Sequence, residues 1–187
     1  MSILELLDGV IRKPANTFNV IAREKPVGWA LLIFAFSTLL GLISTDYSVF
    51  EPLQISPTLY MAIQIIFSLA GLFIFTGLLH LLSRIFKGSG DYWGLFSTLG
   101  FAQFPGFLAP IAAIIKNVGG VAGAVLGGFI SVASGIWVLV LYVIALRESR
   151  GISTGASVLT YVILLAIIVA VIVAGAMYLV FKLGMNS

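Results

Sequence analysis

Apolar residues run along this chain in long blocks separated by short polar breaks. The blocks at 27–45, 58–83, 94–115, 119–146 and 157–181 read as membrane-spanning helices, because about 20 apolar residues rising about 1.5 Å each cross a bilayer core. Pro26 and Trp29 open the first block, as suits a helix start at the membrane interface. The breaks are polar: 46–57 carries Asp46, Glu51, Pro52 and Pro57, and Arg84, Lys87, Gly88, Gly90 and Asp91 mark the next. Lys116 with Asn117, then Arg147, Glu148, Arg150 and Gly151, mark the remaining two, and Lys182 follows the last block.

Before residue 27 the pattern changes. Ile3, Leu4, Leu7, Val10 and Ile11 recur at helical spacing, and Phe18 and Ile21 extend the stripe beyond Pro14. Arg12, Lys13, Arg23 and Lys25 flank it. This predicts an amphipathic helix pair, broken near Pro14, lying in the membrane interface. The expected fold is all-α, a polytopic membrane bundle of five transmembrane helices with an N-terminal interfacial amphipathic segment. It forms a single domain over residues 1–187.

Composition agrees with the pattern. Hydrophobic residues make up 60% of the chain and charged residues 9%, against about 25% charged in soluble domains. A net charge of +3 is too small an excess to suggest nucleic acid. Its distribution matters more. With the N-terminus inside, Arg12, Lys13, Arg23, Lys25, Arg84, Lys87, Arg147 and Arg150 fall on the inner face, and Lys116 and Lys182 outside. The positive-inside rule then predicts a multi-pass protein of the cell (plasma or inner) membrane, N-terminus cytosolic and C-terminus outside. No cleavage site for a secretory leader stands out.

Small residues mark the fourth block. Gly119, Gly123, Gly127, Ser131 and Gly135 lie four apart, and Ala166, Ala170 and Ala174 repeat the device in the fifth. Such stripes let helix backbones approach closely. They predict packing within the bundle, with homodimerisation as the alternative. The third block is irregular: Gln103 lies within it, and Pro105 and Gly106 follow directly. Pro105 lacks an amide hydrogen and is expected to free the Phe101 carbonyl, for which the Gln103 side chain is a candidate partner. His80 is the single histidine, one turn before Arg84. Its shallow position favours an interfacial hydrogen-bonding role over a proton relay.

Catalytic chemistry is hard to assemble. No block carries an Asp or Glu in its core, and there is no cysteine and one histidine. A metal site lacks ligands, and no serine–histidine–acid set can be defended. Gly88-Ser89-Gly90 lacks the P-loop pattern. The chain is expected to be no enzyme and to hold no cofactor or metal.

The order of several segments resembles the Yip-domain family, membrane proteins named for interacting with Ypt/Rab GTPases in eukaryotes. The resemblance begins at Pro14 to Ile21 (PANTFNVI) and continues through Leu79-His80-Leu81 and Phe86 to Tyr92 (FKGSGDY). Leu95 to Pro105 (LFSTLGFAQFP) is similar to the family's glycine-aromatic-small-x-x-proline signature. Trp137 with Ala145 to Glu148 resembles its fourth-span ending. The match looks closest to bacterial and archaeal members. The Asp-Leu-Tyr-Gly-Pro motif of eukaryotic members is absent, so no Rab-type GTPase contact is carried across. The resemblance implies a five-helix membrane protein acting through partners and membrane organisation.

Two functions remain in view. In the first, a non-enzymatic membrane protein organises lipid or recruits partners through its cytosolic face, with Arg12, Lys13, Arg23, Lys25, Arg84 and Lys87 attracting anionic headgroups. Its partners are membrane lipids, with other membrane proteins or a second copy of the chain as further candidates. In the second, a transporter or channel for small molecules or ions has its path beside the broken third span, lined by His80, Gln103, Pro105, Gln64 and Ser68.

Overall fold

A computed structural model describes residues 1–45 and 56–184. Asp46, Glu51 and Pro52 of the expected loop lie outside the described residues. Among the described residues all regular structure is helical: α1 (Ile3–Arg12), α2 (Pro14–Glu24), α3 (Val27–Ile43), α4 (Pro57–Ser83), α5 (Tyr92–Ala102), α6 (Ala109–Val118), α7 (Gly120–Arg150) and α8 (Thr154–Gly184).

Local chemistry sets the boundaries. Ser2 and Glu5 form a reciprocal cap at the start of α1, each side chain accepting the other's backbone N–H. Pro14 takes the first turn of α2, where a missing N–H costs nothing. Lys25 ends that helix at φ +51°, and Pro26 forbids its continuation. The break near Pro14 thus appears as expected.

Four stretches are long and apolar enough to cross a membrane: Pro57–Phe86, Tyr92–Val118, Gly120–Arg150 and Thr154–Lys182. The first expected span is shorter than its block suggests. α3 has 17 residues, a rise of about 26 Å against a hydrocarbon core of about 30 Å.

α5 sits at the centre, and every residue from Gly94 to Ala102 is buried. α2, α3, α4 and α7 surround it. Two glycines permit the closest crossings. A Cβ at Gly94 would lie 2.6 Å from the Ala22 carbonyl oxygen of α2, and one at Gly100 would lie 2.7 Å from the Ala30 oxygen of α3. α6 folds back on α7, and α8 packs on α4 and α7 through its N-terminal third. There Tyr161 and Tyr142 cluster with Phe75, and the Tyr161 hydroxyl donates to the Tyr142 carbonyl at 2.9 Å.

The N-terminal pair is amphipathic, as expected, and part of its apolar surface is turned to protein, while Leu4 and Ile11 stay exposed. Leu6, Val10, Phe18 and Ile21 are buried in the same core as Leu95, Phe96 and Leu146. Burial of this stripe docks the pair over one end of the bundle.

The third span is broken, and its partner is not the one expected. A 3-10 turn, Phe104–Leu108, separates α5 from α6. The carbonyl held at the break is that of Gln103, which accepts the Gly106 N–H at 2.9 Å and the Ser37 hydroxyl of α3 at 3.0 Å. The Gln103 side chain makes no hydrogen bond to a described residue. A neighbouring helix satisfies the backbone, as apolar surroundings require.

Candidate functional site: the basic end of the bundle

The polar groups gather where α2, α4 and α7 end and α5 begins. Asp91 caps α5 by accepting the Gly94 N–H at 2.7 Å, and its second oxygen pairs with Lys25. Burial pushes the Asp91 carboxyl up, but hydrogen bonding to Lys25 and to the Gly94 N–H outweighs burial and holds the group below the ordinary carboxylate value. One ion pair therefore both starts the central helix and ties α2 to it.

Arg150, the last residue of α7, is 1% exposed. Its Nε donates to the Ser83 hydroxyl at 2.8 Å and its Nη2 to the Gly88 carbonyl at 2.8 Å. The Arg150 carbonyl in turn accepts the Ser89 N–H at 3.0 Å. Nη1 is buried without a hydrogen-bond partner, and no carboxylate among the described residues pairs with the guanidinium. The Ser83 hydroxyl and the Gly88 carbonyl supply part of the compensation. Gly90 makes the approach possible, because a Cβ there would run into the Ser149 carbonyl.

His80 completes this end. Its Nε2 lies 3.3 Å from an Arg84 terminal nitrogen, while Nδ1 is buried and unpartnered. The Ser83 hydroxyl donates to the His80 carbonyl at 3.0 Å, so α4 and α7 are joined through one serine.

Beside these residues lies a groove of about 450 Å³, lined by Asn19, Arg23, Lys25, Ser89, Asp91, Glu148 and Arg150 among others. Of the predicted basic contacts, Arg23 and Lys25 line it, and Arg84 and Lys87 follow α4 nearby. Arg12 and Lys13 stand at the other end of α2, about 16 Å away by helix rise. All six are exposed.

The polar residues predicted to line a path are not joined by hydrogen bonds among the described residues. His80 belongs to the basic end, whereas Gln103 comes 11 residues after Tyr92, about 16 Å further along α5. Gln64 and Ser68 are half-buried one turn apart on α4, and Pro105 is buried in the 3-10 turn.

The small-residue stripe divides. Cβ atoms at Gly123 and Gly127 would meet the carbonyls of Ile115 and Ala112, so these glycines seat α6 against α7, and Gly119 begins that turn. Ser131 donates to the Gly127 carbonyl at 2.9 Å. Ser131 and Gly135 border a cavity of about 200 Å³ beside the broken span. Ala166, Ala170 and Ala174 are exposed.

Arg150 is the residue that sequence reasoning missed as a contact. It counted as an orientation charge and as part of a polar turn on the cytosolic face, not as a contact of its own. The one signal was its place directly before Gly151, together with the glycines at 88 and 90 that make room for it.

A central apolar helix, four stretches long enough to cross a bilayer and a charged end define a multi-pass helical membrane protein. The Yip1 domain family model matches residues 9–177, and the chain belongs to that family. No curated protein and no solved structure matches it.

Proposed function

We propose that this chain is a non-enzymatic membrane protein that organises anionic lipid, or recruits partners, through the end of the bundle carrying Lys25, Asp91 and Arg150. That end faces the cytosol of a cell membrane in this reading, and α3 serves as a fifth, short span. In this reading the chain is one of the family's bacterial or archaeal members.

The observation that carries the proposal is the contrast between the two polar regions. The basic end holds a groove in which Arg23, Lys25 and Arg150 outnumber Asp91 and Glu148, while the centre of the bundle is packed side chains from Gly94 to Ala102. A packed centre supports an organiser over a transporter. Anionic surfaces attract each nearby basic side chain by about 1 kcal/mol.

The test is lipid enrichment. The protein would be reconstituted in vesicles of phosphatidylcholine with phosphatidylglycerol, extracted with its neighbouring lipid in polymer discs, and the lipid analysed by mass spectrometry. Enrichment of phosphatidylglycerol is expected, and its loss when Arg12, Lys13, Arg23, Lys25, Arg84 and Lys87 are all changed to Gln. A wild-type protein surrounded by lipid of bulk composition would overturn the reading.

A further inference from the structure

The groove at the basic end has an uneven charge. Lys25 is matched by Asp91, and Glu148 is matched by Arg147 at 2.6 Å. Arg23 and Arg150 are left without a carboxylate among the described residues. Arg150 forms the floor, and its buried charge projects a positive potential into the space above it. Arg23 is exposed on the rim. Asn19 and Ser89 add an amide and a hydroxyl to the wall, both suited to bind an anion's oxygens.

The surroundings identify what kind of anion. Lys25 also lines a second cavity of about 340 Å³, formed with Val27 and Trp93. That cavity is apolar and opens between the start of α3 and the start of α5. Trp93, which lines it, is 47% exposed, and Trp29 in the first turn of α3 is 50% exposed; exposed tryptophans on a membrane protein mark the level of the headgroups. A polar groove with an excess of cations thus adjoins an apolar cleft at the level of the headgroups, the two sharing Lys25. An amphiphile with a phosphate head and a hydrocarbon tail has the same division.

We infer that the groove holds the phosphate of one anionic phospholipid, seated between Arg23, Lys25, Asn19 and Ser89 above Arg150, with the start of an acyl chain against Val27 and Trp93. The inference rests on the proposed lipid-organising function but adds a discrete site of one-to-one stoichiometry to a diffuse attraction.

Native mass spectrometry of the detergent-solubilised chain tests it. The probes are dioleoyl-phosphatidylglycerol, dioleoyl-phosphatidylcholine and glycerol 3-phosphate. One equivalent of phosphatidylglycerol should bind in preference to phosphatidylcholine, and glycerol 3-phosphate should compete poorly. Arg23→Gln should weaken phosphatidylglycerol about fivefold, the factor for one basic contact at a lipid surface. Arg23 has no ion-pair or hydrogen-bond partner for its side chain among the described residues, so its loss should leave the bundle intact, which circular dichroism melting would verify. Lys13→Gln, exposed at the far end of α2, touches only the diffuse attraction and should weaken the single bound equivalent by clearly less than Arg23→Gln. If both variants weaken binding equally, attraction is diffuse and the groove is wrong, while the lipid-organising reading stands. If the wild type shows no preference for phosphatidylglycerol, both fall. Competition by glycerol 3-phosphate as strong as by the lipid would assign the groove to a soluble phosphate compound and overturn the lipid occupant.

Discussion

α5 and α8 are both apolar helices, and they have opposite fates. From Gly94 to Ala102 every residue of α5 is buried in protein, whereas from Leu165 to Lys182 every residue of α8 is exposed. Hydrophobicity does not separate them, since α8 is the more hydrophobic stretch of the two. Residue size does. α5 alternates bulk with Gly94, Ser97, Thr98, Gly100 and Ala102, and its two glycines admit the carbonyls of Ala22 and Ala30. Branched and aliphatic side chains fill α8 between Gly155 and Gly175, broken only by single alanines and polar residues near its start. In a bilayer, lipid tails are as apolar as leucine, so close packing decides which helix goes to the centre.

The strongest way to break this contrast is to enlarge one glycine in each helix. Gly94→Leu places a side chain where the Ala22 carbonyl stands, and it should cost about 3 kcal/mol or more, at the upper end of overpacking effects. Gly175→Leu meets nothing within 4 Å and should stay within about 0.5 kcal/mol. Thermal unfolding in detergent, followed by circular dichroism, measures both. Equal effects would mean that α5 is not the packed centre.

A smaller effect is expected where the centre is fastened at its charged end. Arg150→Met removes both donors from the Ser83 hydroxyl and the Gly88 carbonyl, leaving buried acceptors unmatched. A loss of about 2–3 kcal/mol is expected. Lys182→Met, on the exposed stretch of α8, is the reference and should change stability by less than about 0.5 kcal/mol. A melting temperature for Arg150→Met no lower than the reference would show that the guanidinium is not a fastening.

These features differed in how well the sequence announced them. The helices themselves were legible, because Pro14 and Pro26 stop and start them locally, and the break after Ala102 follows from Pro105. The centre was not. α5 is apolar all round, and periodicity cannot say whether lipid or protein covers such a helix. The apolar stripe of α1 and α2 was legible, but not which of its residues meet protein: Val10, Phe18 and Ile21 are buried, while Leu4 and Ile11 stay exposed. Ser37 carries no local signal, and only the fold brings it to the Gln103 carbonyl, 66 positions away. At the candidate site, Arg23 and Lys25 were legible as basic residues near the membrane. The burial of Arg150 depends on Ser83 and Gly88, 67 and 62 positions earlier, and no local pattern encodes that.

The smallest expected effect sharpens the contrast without disturbing the packing. Asp91 holds the N-terminus of α5 and pairs with Lys25. Its folded pKa is depressed, so its contribution to stability is fully present above the ordinary carboxyl value near 4 and is lost as pH falls through the lowered folded value. The side chain is 45% exposed, so solvent screens the pair and its contribution should be below about 1 kcal/mol. Melting curves of the wild type and of Asp91→Asn between neutral pH and pH 3 separate this contribution from other carboxylates. The two proteins should differ at neutral pH and converge in acid, because protonation makes the native carboxyl as neutral as the amide. A constant gap across the range would mean that the carboxyl acts through its shape alone and that the charge at this end does not help to hold α5 in place.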